Sequence, residues 1–184
     1  MSRLRELQAR LGPGSRLAEP LARYTSIRAG GQADLFLQAR TSEQLVDAVE
    51  EAEALGVPWR IIGGASNLLI ADAGVEGLVI KAATGGVEID RDGDPPRVHA
   101  AAGCILAAVA KQTALAGFAG LEWAVNVPGT VGASVVNNSG AFGSSTAEHL
   151  EHADVYAPGG EVVRMTGEEL ELAYRTSRLK RGEL

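Results

Sequence analysis

The sequence holds one cysteine, Cys104, so no internal disulfide can form and a reducing, cytoplasmic compartment is expected. It lacks an excess of basic residues. The formal net charge is −6 with both signs interspersed, which argues against a nucleic-acid surface but leaves room for an anion site built from backbone dipoles. No apolar run reaches membrane-spanning length, so no membrane association is expected. The opening "MSRLRELQARLGPGS" is interrupted by charges and is no secretory signal. Low-complexity segments are missing too, and 184 residues suffice for one large domain or two small ones. Asparagine is scarce. Its four copies, Asn67, Asn126, Asn137 and Asn138, all lie in or beside two glycine-bearing stretches.

Glycine is the abundant exception, with 23 residues. Around it the chain reads as alternating short elements. Residues 3 to 11 form an amphipathic helix stopped by "GPG". "YTSIRAGGQADLFLQA" reads as an extended arm, a turn at Gly30–Gly31 and a strand over 33 to 39. A helix follows with Thr41 as cap, Gln44 completing a capping box, and Gly56 and Pro58 ending it. "WRIIGG" and "GLVIKA" are apolar strands, and "VEIDRDGDPPRVHA" has the signature of a hairpin. "CILAAVAKQTALAG" is a second helix. "EHADVYAPGGEVVRM" is a second hairpin with "PGG" at its tip, and Thr166 with Glu169 forms a capping box opening a short helix, "GEELELAY". "RTSRLKRGEL" shows neither a capping signal nor a closing strand. The class is α+β, divided near residue 83 into a small α/β part and a larger antiparallel part, with 1–19 as an N-terminal helix and arm.

Two stretches stand out. "GGASNLL", residues 63 to 69, follows a strand. It is either a tight strand-to-strand turn or a loop whose backbone N–H groups converge on a phosphate or pyrophosphate, with Ser66 and Asn67 adding donors. Neither the dinucleotide fingerprint nor the P-loop spacing is present. "PGTVGASVVNNSGAFG", residues 128 to 143, contains Gly129, Gly132, Gly140 and Gly143 and no charge. That is more glycine than a structural turn requires, and it favours a ligand with its own negative charge and a large flat body, such as FAD. Arg175 follows Leu172, Ala173 and Tyr174. It either projects from inside the fold toward a carboxylate or phosphate, or is one member of a basic surface with Arg178, Lys180 and Arg181. His149 and His152 have no third ligand at suitable spacing, so solvated or capping roles are expected and no metal. Cys104 reads as a small core residue. Trp59 and Trp123 read as core rather than as walls of a cofactor site.

Four stretches, "YTSIRAGGQADL", "GGASNLL", "GLEWAVNVPGTVGASVVNNSGAFG" and "AYRTSRL", occur in an order that resembles the UDP-N-acetylenolpyruvoylglucosamine reductase family from about residue 20 to the end of the chain. The last two are the more specific. The resemblance implies a two-subdomain FAD-binding domain of the PCMH/VAO type, with FAD held non-covalently. It implies that Gly63, Gly64, Ala65, Ser66, Asn67 and Leu68 take the pyrophosphate, with Ile62 also cofactor-binding. Pro128, Gly129, Thr130, Gly132, Ala133, Asn137, Gly140 and Ala141, with Gly103 and Glu122, would bind the rest of the cofactor. It also implies NADPH as hydride donor, a UDP-sugar enolpyruvate as substrate with Tyr174 and Arg175 binding it, and Arg175 as the catalytic arginine. The product would be UDP-N-acetylmuramate, a peptidoglycan precursor.

The chain departs from the family pattern at Ala133, Ser139 and Phe142, where glycine, alanine and often tyrosine are usual. The family's proton-donating serine and a C-terminal glutamate have no counterpart, and Ser177 does not match that serine. The expectation is therefore an FAD-binding part whose substrate domain is absent or supplied by a partner chain. Rivals are another FAD oxidoreductase on the same domain, a non-catalytic flavin module, and a plain interaction domain. Covalent attachment through His99 or Cys104 finds no recognisable motif.

Overall fold

The computed structural model describes residues 2–157 and 160–182. By its internal contacts the chain divides into two compact units, Met1–Gly85 and Gly86–Leu184. The first is built on a sheet of four strands, β1 (Ser15–Pro20), β2 (Gln32–Ala39), β3 (Trp59–Ile62) and β4 (Val75–Ala82), in the order β1-β2-β4-β3. β1 pairs antiparallel with β2, while β4 runs parallel to both β2 and β3. Parallel neighbours cannot be joined by a tight turn; the chain must cross back along the sheet. Helix α2 (Ser42–Ala54) makes that return from β2 to β3, and residues 63 to 74 make it from β3 to β4 without a helix. The glycine stretch is therefore a crossover loop, and the tight-turn reading falls.

Alternation along the strands buries both faces. Phe36 and Val79 join Leu21 and Ala33 in one cluster, against which Tyr24, Ile62, Ile70 and Val75 pack. Leu35, Leu37, Leu78 and Ile80 are buried on the opposite face, with Ala48, Val49 and Ala52 of α2 and Leu7 of α1 (Ser2–Leu11). Thr41 Oγ1 accepts the Gln44 N–H at 3.2 Å, as a cap should. The reciprocal bond is shifted by one residue, because Gln44 Oε1 accepts from the Arg40 N–H at 2.7 Å. At the other end Gly56 (φ +60°) donates to Glu53 O and Val57 donates to Ala52 O, closing the helix as a Schellman motif.

Among its described residues the second unit has only two-stranded ladders. The hairpin β5 (Val87–Asp90) with β6 (Arg97–Ala100) leads to α3 (Leu106–Leu115) and α4 (Val131–Asn137). The short ladder β7 (Gly140–Ala141) with β8 (Ser144–Ser145) then runs into α5 (Thr146–His149). A second hairpin, β9 (His152–Ala157) with β10 (Glu161–Thr166), precedes α6 (Arg178–Arg181). Pro158 and Gly159, in the expected "PGG" tip, lie outside the described residues. Leu106, Ala110, Trp123 and Ala124 form one core cluster; Val135, Val155, Met165 and Leu170 form another.

Several expectations are corrected. Residues 131 to 137, inside the uncharged glycine-bearing stretch, are helical: Thr130 Oγ1 caps the Ala133 N–H, and the apolar side of the turn buries Val135. "GEELELAY" does not form a helix. Its capping box is present in both directions, Thr166 N–H to Glu169 Oε2 at 2.7 Å and Glu169 N–H to Thr166 Oγ1 at 3.2 Å. One turn later Glu171 adopts φ +48° and Leu172 donates back to Gly167 O, ending it. The stretch after Thr176 does carry a cap, since Ser177 Oγ accepts from the Lys180 N–H and Gly182 (φ +75°) closes α6. Residues 15 to 20, expected as part of an arm, are an edge strand, with Pro20 at its end where no ladder donor is needed.

Candidate functional site

In the first unit the loop leaving β3 starts at the carboxyl end of two parallel strands, where ligands bind in open α/β sheets. Ala65 is buried and left-handed at φ +50°. Among the described residues, no backbone N–H from Gly63 to Leu69 is donated to another protein group. While Ala65 is buried, residues 67 to 69 are exposed, and a succession of such donors around a left-handed residue makes a concavity suited to an anion. Both ends of the loop are fixed. Ile62 and Ile70 pack on the Phe36 cluster, and beyond Ile70 the Ala71 carbonyl accepts N–H groups from Gly31 at 3.0 Å and Gly74 at 2.9 Å. A Cβ on Gly31 would lie 2.3 Å from Asp72 O, so only glycine allows this approach.

In the second unit two segments predicted to touch a cofactor are knitted together. Ile105 and Thr130 form an antiparallel bridge; Leu106 donates to Gly129 O, Val131 to Cys104 O and Gly132 to Ala102 O. Gly103 thus sits beside Gly129, Thr130 and Gly132, with Pro128 preceding and Ala133 one residue on. Asn137 Nδ2 donates to Ala133 O at 2.9 Å, one turn back along α4. Glu122 turns back on its own segment, accepting from the Gly120 N–H at 2.8 Å. Its own N–H and that of Gly120 hold the carboxyl below its ordinary range, with His149 a smaller contributor.

A cleft of about 400 Å³ in the same unit is lined by Asn138, Gly140, Ala141, Ser144, Glu148, Tyr174 and Arg175, among others. Tyr174 and Arg175 form the tip of a tight turn closed by two bonds between Ala173 and Thr176. Arg175 takes φ +57° and is exposed, so of the two alternatives the surface position holds and not projection from inside the fold. Its guanidinium carbon lies 6.0 Å from the Tyr174 ring centre, and among the described residues it has no carboxylate partner. A cation on a cleft wall that is engaged in no ion pair is suited to an anionic ligand.

The match that decides the family spans residues 33–166 and corresponds to the FAD binding domain. The chain belongs to the FAD-binding domain family. Its fold is accordingly α+β, the two-part domain of the PCMH/VAO type. It is 44% identical over 168 residues to UDP-N-acetylenolpyruvoylglucosamine reductase of Rubrobacter xylanophilus, covering 91% of this chain and 56% of that protein. The crystal structure of UDP-N-acetylenolpyruvylglucosamine reductase from Thermus caldophilus superposes with a TM-score of 0.69 at 31% identity, covering 91% of this chain and 57% of that one. A solvent-stable cholesterol oxidase, at 18% identity and a TM-score of 0.60 over 80% of this chain and 31% of its own, shares the fold alone. The chain spans a little over half the length of the reductases it matches.

Within this FAD-binding domain, sequence reasoning missed the residues that hold the Arg175 turn. Asn138 ends α4 in the left-handed region (φ 42°), its Nδ2 donating to Ala173 O at 3.0 Å and its Oδ1 accepting from Ala147 N–H at 2.9 Å. Ser177, fully buried, donates from Oγ to Val136 O at 2.7 Å. The two side chains tie residues 173 and 177 to the end of one helix, and the turn between them has no freedom to drift. An Asn at a helix C-terminus was a readable signal; the Ser177 bond, spanning 41 residues, was not. His149 Nε2 meets Ser144 Oγ at 2.8 Å and the ring stacks on Trp123. No group of residues suited to a metal occurs among those described. Nor is any described helix long and apolar enough to cross a membrane.

Proposed function

We propose that this chain is the FAD-binding part of a UDP-N-acetylenolpyruvoylglucosamine reductase, which reduces UDP-N-acetylglucosamine enolpyruvate to UDP-N-acetylmuramate for peptidoglycan synthesis in the cytoplasm. The observation that carries the reading is the run of undonated amides from Gly63 to Leu69 in a chain of the FAD-binding family. The residues fit the cofactor: fixed N–H groups around left-handed Ala65 suit its diphosphate, and the Gly103, Gly129–Ala133, Gly140 and Ala141 backbone suits close approach of a flat ring. Non-covalent FAD, when bound, supplies a two-electron carrier between NADPH and the substrate double bond.

The chain's own part in the chemistry is electrostatic. Hydride addition to an unsaturated carboxylate develops enolate charge on the carboxylate oxygens. The turn that carries Arg175 is held by the Asn138 and Ser177 bonds, and its guanidinium stabilises that charge more in the transition state than in the ground state. Tyr174 extends the same wall and contributes to binding the UDP-sugar. The remaining catalytic groups would come from a substrate domain or partner chain.

The test is a visible absorption spectrum of the purified chain, with added FAD and then anaerobic NADPH. A flavin band that follows the protein and bleaches with NADPH is the expected outcome. A protein that takes up no FAD would overturn the proposal. Flavin that stays with acid-precipitated protein would point instead to covalent attachment and a different oxidoreductase.

A further inference from the structure

Lys81 was not singled out by the sequence, yet its position is unusual. It lies on β4 directly across from Ile62, the last residue of β3, and the undonated amides begin at the next residue. Paired residues on neighbouring strands share a face and sit about 4.8 Å apart, within easy reach of a four-carbon side chain. Lys81 also shares its face with Val79, in the cluster on which both ends of the loop, Ile62 and Ile70, are packed.

The ammonium is not free to wander. Its Nζ is 4.9 Å from the centre of the Tyr24 ring. That ring is itself fixed, stacked on Phe36 with centroids 4.6 Å apart and donating its hydroxyl to Glu19 at 2.6 Å. Glu19 does not serve as counter-charge to Lys81, because Arg16 at 3.1 Å and Arg23 at 3.4 Å already neutralise it. Among the described residues Lys81 has no carboxylate partner, and it is half-buried. A cation–π contact contributes about 0.5–2 kcal/mol and leaves the ammonium's charge available to an anion.

From this juxtaposition we infer that Lys81 is the counter-cation of the Gly63–Leu69 loop, binding a ligand diphosphate jointly with the backbone amides, with Tyr24 as the residue that positions it. The inference rests on the FAD-binding reading and assigns the diphosphate a positive side chain that has no carboxylate partner among the described residues. Backbone amides supply direction and shape; Lys81 supplies net charge, which makes affinity depend on salt.

The experiment measures FAD affinity of the apo-protein by flavin fluorescence quenching at low and high salt, with thermal melts of each variant. Lys81→Met should weaken FAD binding about tenfold at low salt and flatten the salt dependence, while Lys81→Arg recovers most of both. Tyr24→Phe keeps the ring and should bind FAD nearly as the parent does, whereas Tyr24→Leu should approach Lys81→Met. Wild-type affinity and salt dependence in Lys81→Met would overturn the inference and leave the FAD reading standing. So would equal losses in Lys81→Met and Lys81→Arg, since they would make the role structural. A parent chain that takes up no FAD would overturn both.

Discussion

Arg175 is held at φ +57°, a region that is strained for a residue with a Cβ and persists only where the surroundings over-determine it. Here Asn138 and Ser177 do so from either side. Arg175→Ala in a complete enzyme should leave flavin bound while raising the barrier by roughly 2.7–4 kcal/mol, the effect of losing one preorganised charge-stabilising donor. Steady-state rates and the flavin spectrum of the same preparation check this, and loss of flavin with the side chain would contradict it. Asn138→Gly keeps the left-handed backbone and removes only the two side-chain bonds, so its cost should be about 1–3 kcal/mol in a denaturant melt. Arg175 was legible as a residue because its neighbours form a specific motif. Its exposure was not, because which wall a turn faces depends on the bonds at residues 136 and 138, distant in sequence.

At the scale of elements, Gly31 and Gly74 close the far end of the Gly63–Leu69 loop on Ala71. Gly31→Ala would force a Cβ to 2.3 Å from a backbone oxygen, and the Asp72 segment would have to move. We expect lower thermal stability together with weaker FAD binding, measured by melts and by flavin titration. Weakened stability with unchanged affinity would separate the loop from the ligand. Helices with local signals were readable: α2 carries its cap, apolar face and terminal glycine in one window. α4 was not, because its seven residues include a glycine and five β-branched or small polar residues of modest propensity. Packing of Val135 on Val155, Met165 and Leu170 overrides that preference. Conversely, the Thr166–Glu169 box signals a helix that the chain abandons after one turn, since Leu170 O is taken by Arg178 N–H.

For the molecule as a whole, charge sets the pH limits. Asp154 is held below the usual carboxylate range by Arg164, Glu151 by Arg97, and Glu169 by the Thr166 backbone and hydroxyl. Each titrates lower in the folded state, so its contribution is complete above the unfolded value and is lost as pH falls through the folded one. These pairs are solvent-exposed and individually weak. Tyr24 behaves oppositely. Burial first, then the Glu19 bond, pushes its phenol above 10, so its contribution is complete below the unfolded value and lost as pH rises through the folded one. Melting temperature should be level near neutrality and fall below about pH 4 and again in strong alkali; a melt temperature still rising below pH 4 would contradict the acid limb. By itself the sequence determined the local elements with complete signals, the two glycine-bearing stretches and the family motifs, because each is written in contiguous residues. Only the tertiary structure decided that residues 63 to 74 form a crossover rather than a turn, that Arg175 is exposed, and that Lys81 stands beside the amide loop. Parallel register and long-range side-chain bonds settle those points, and neither leaves a mark on neighbouring residues in the chain.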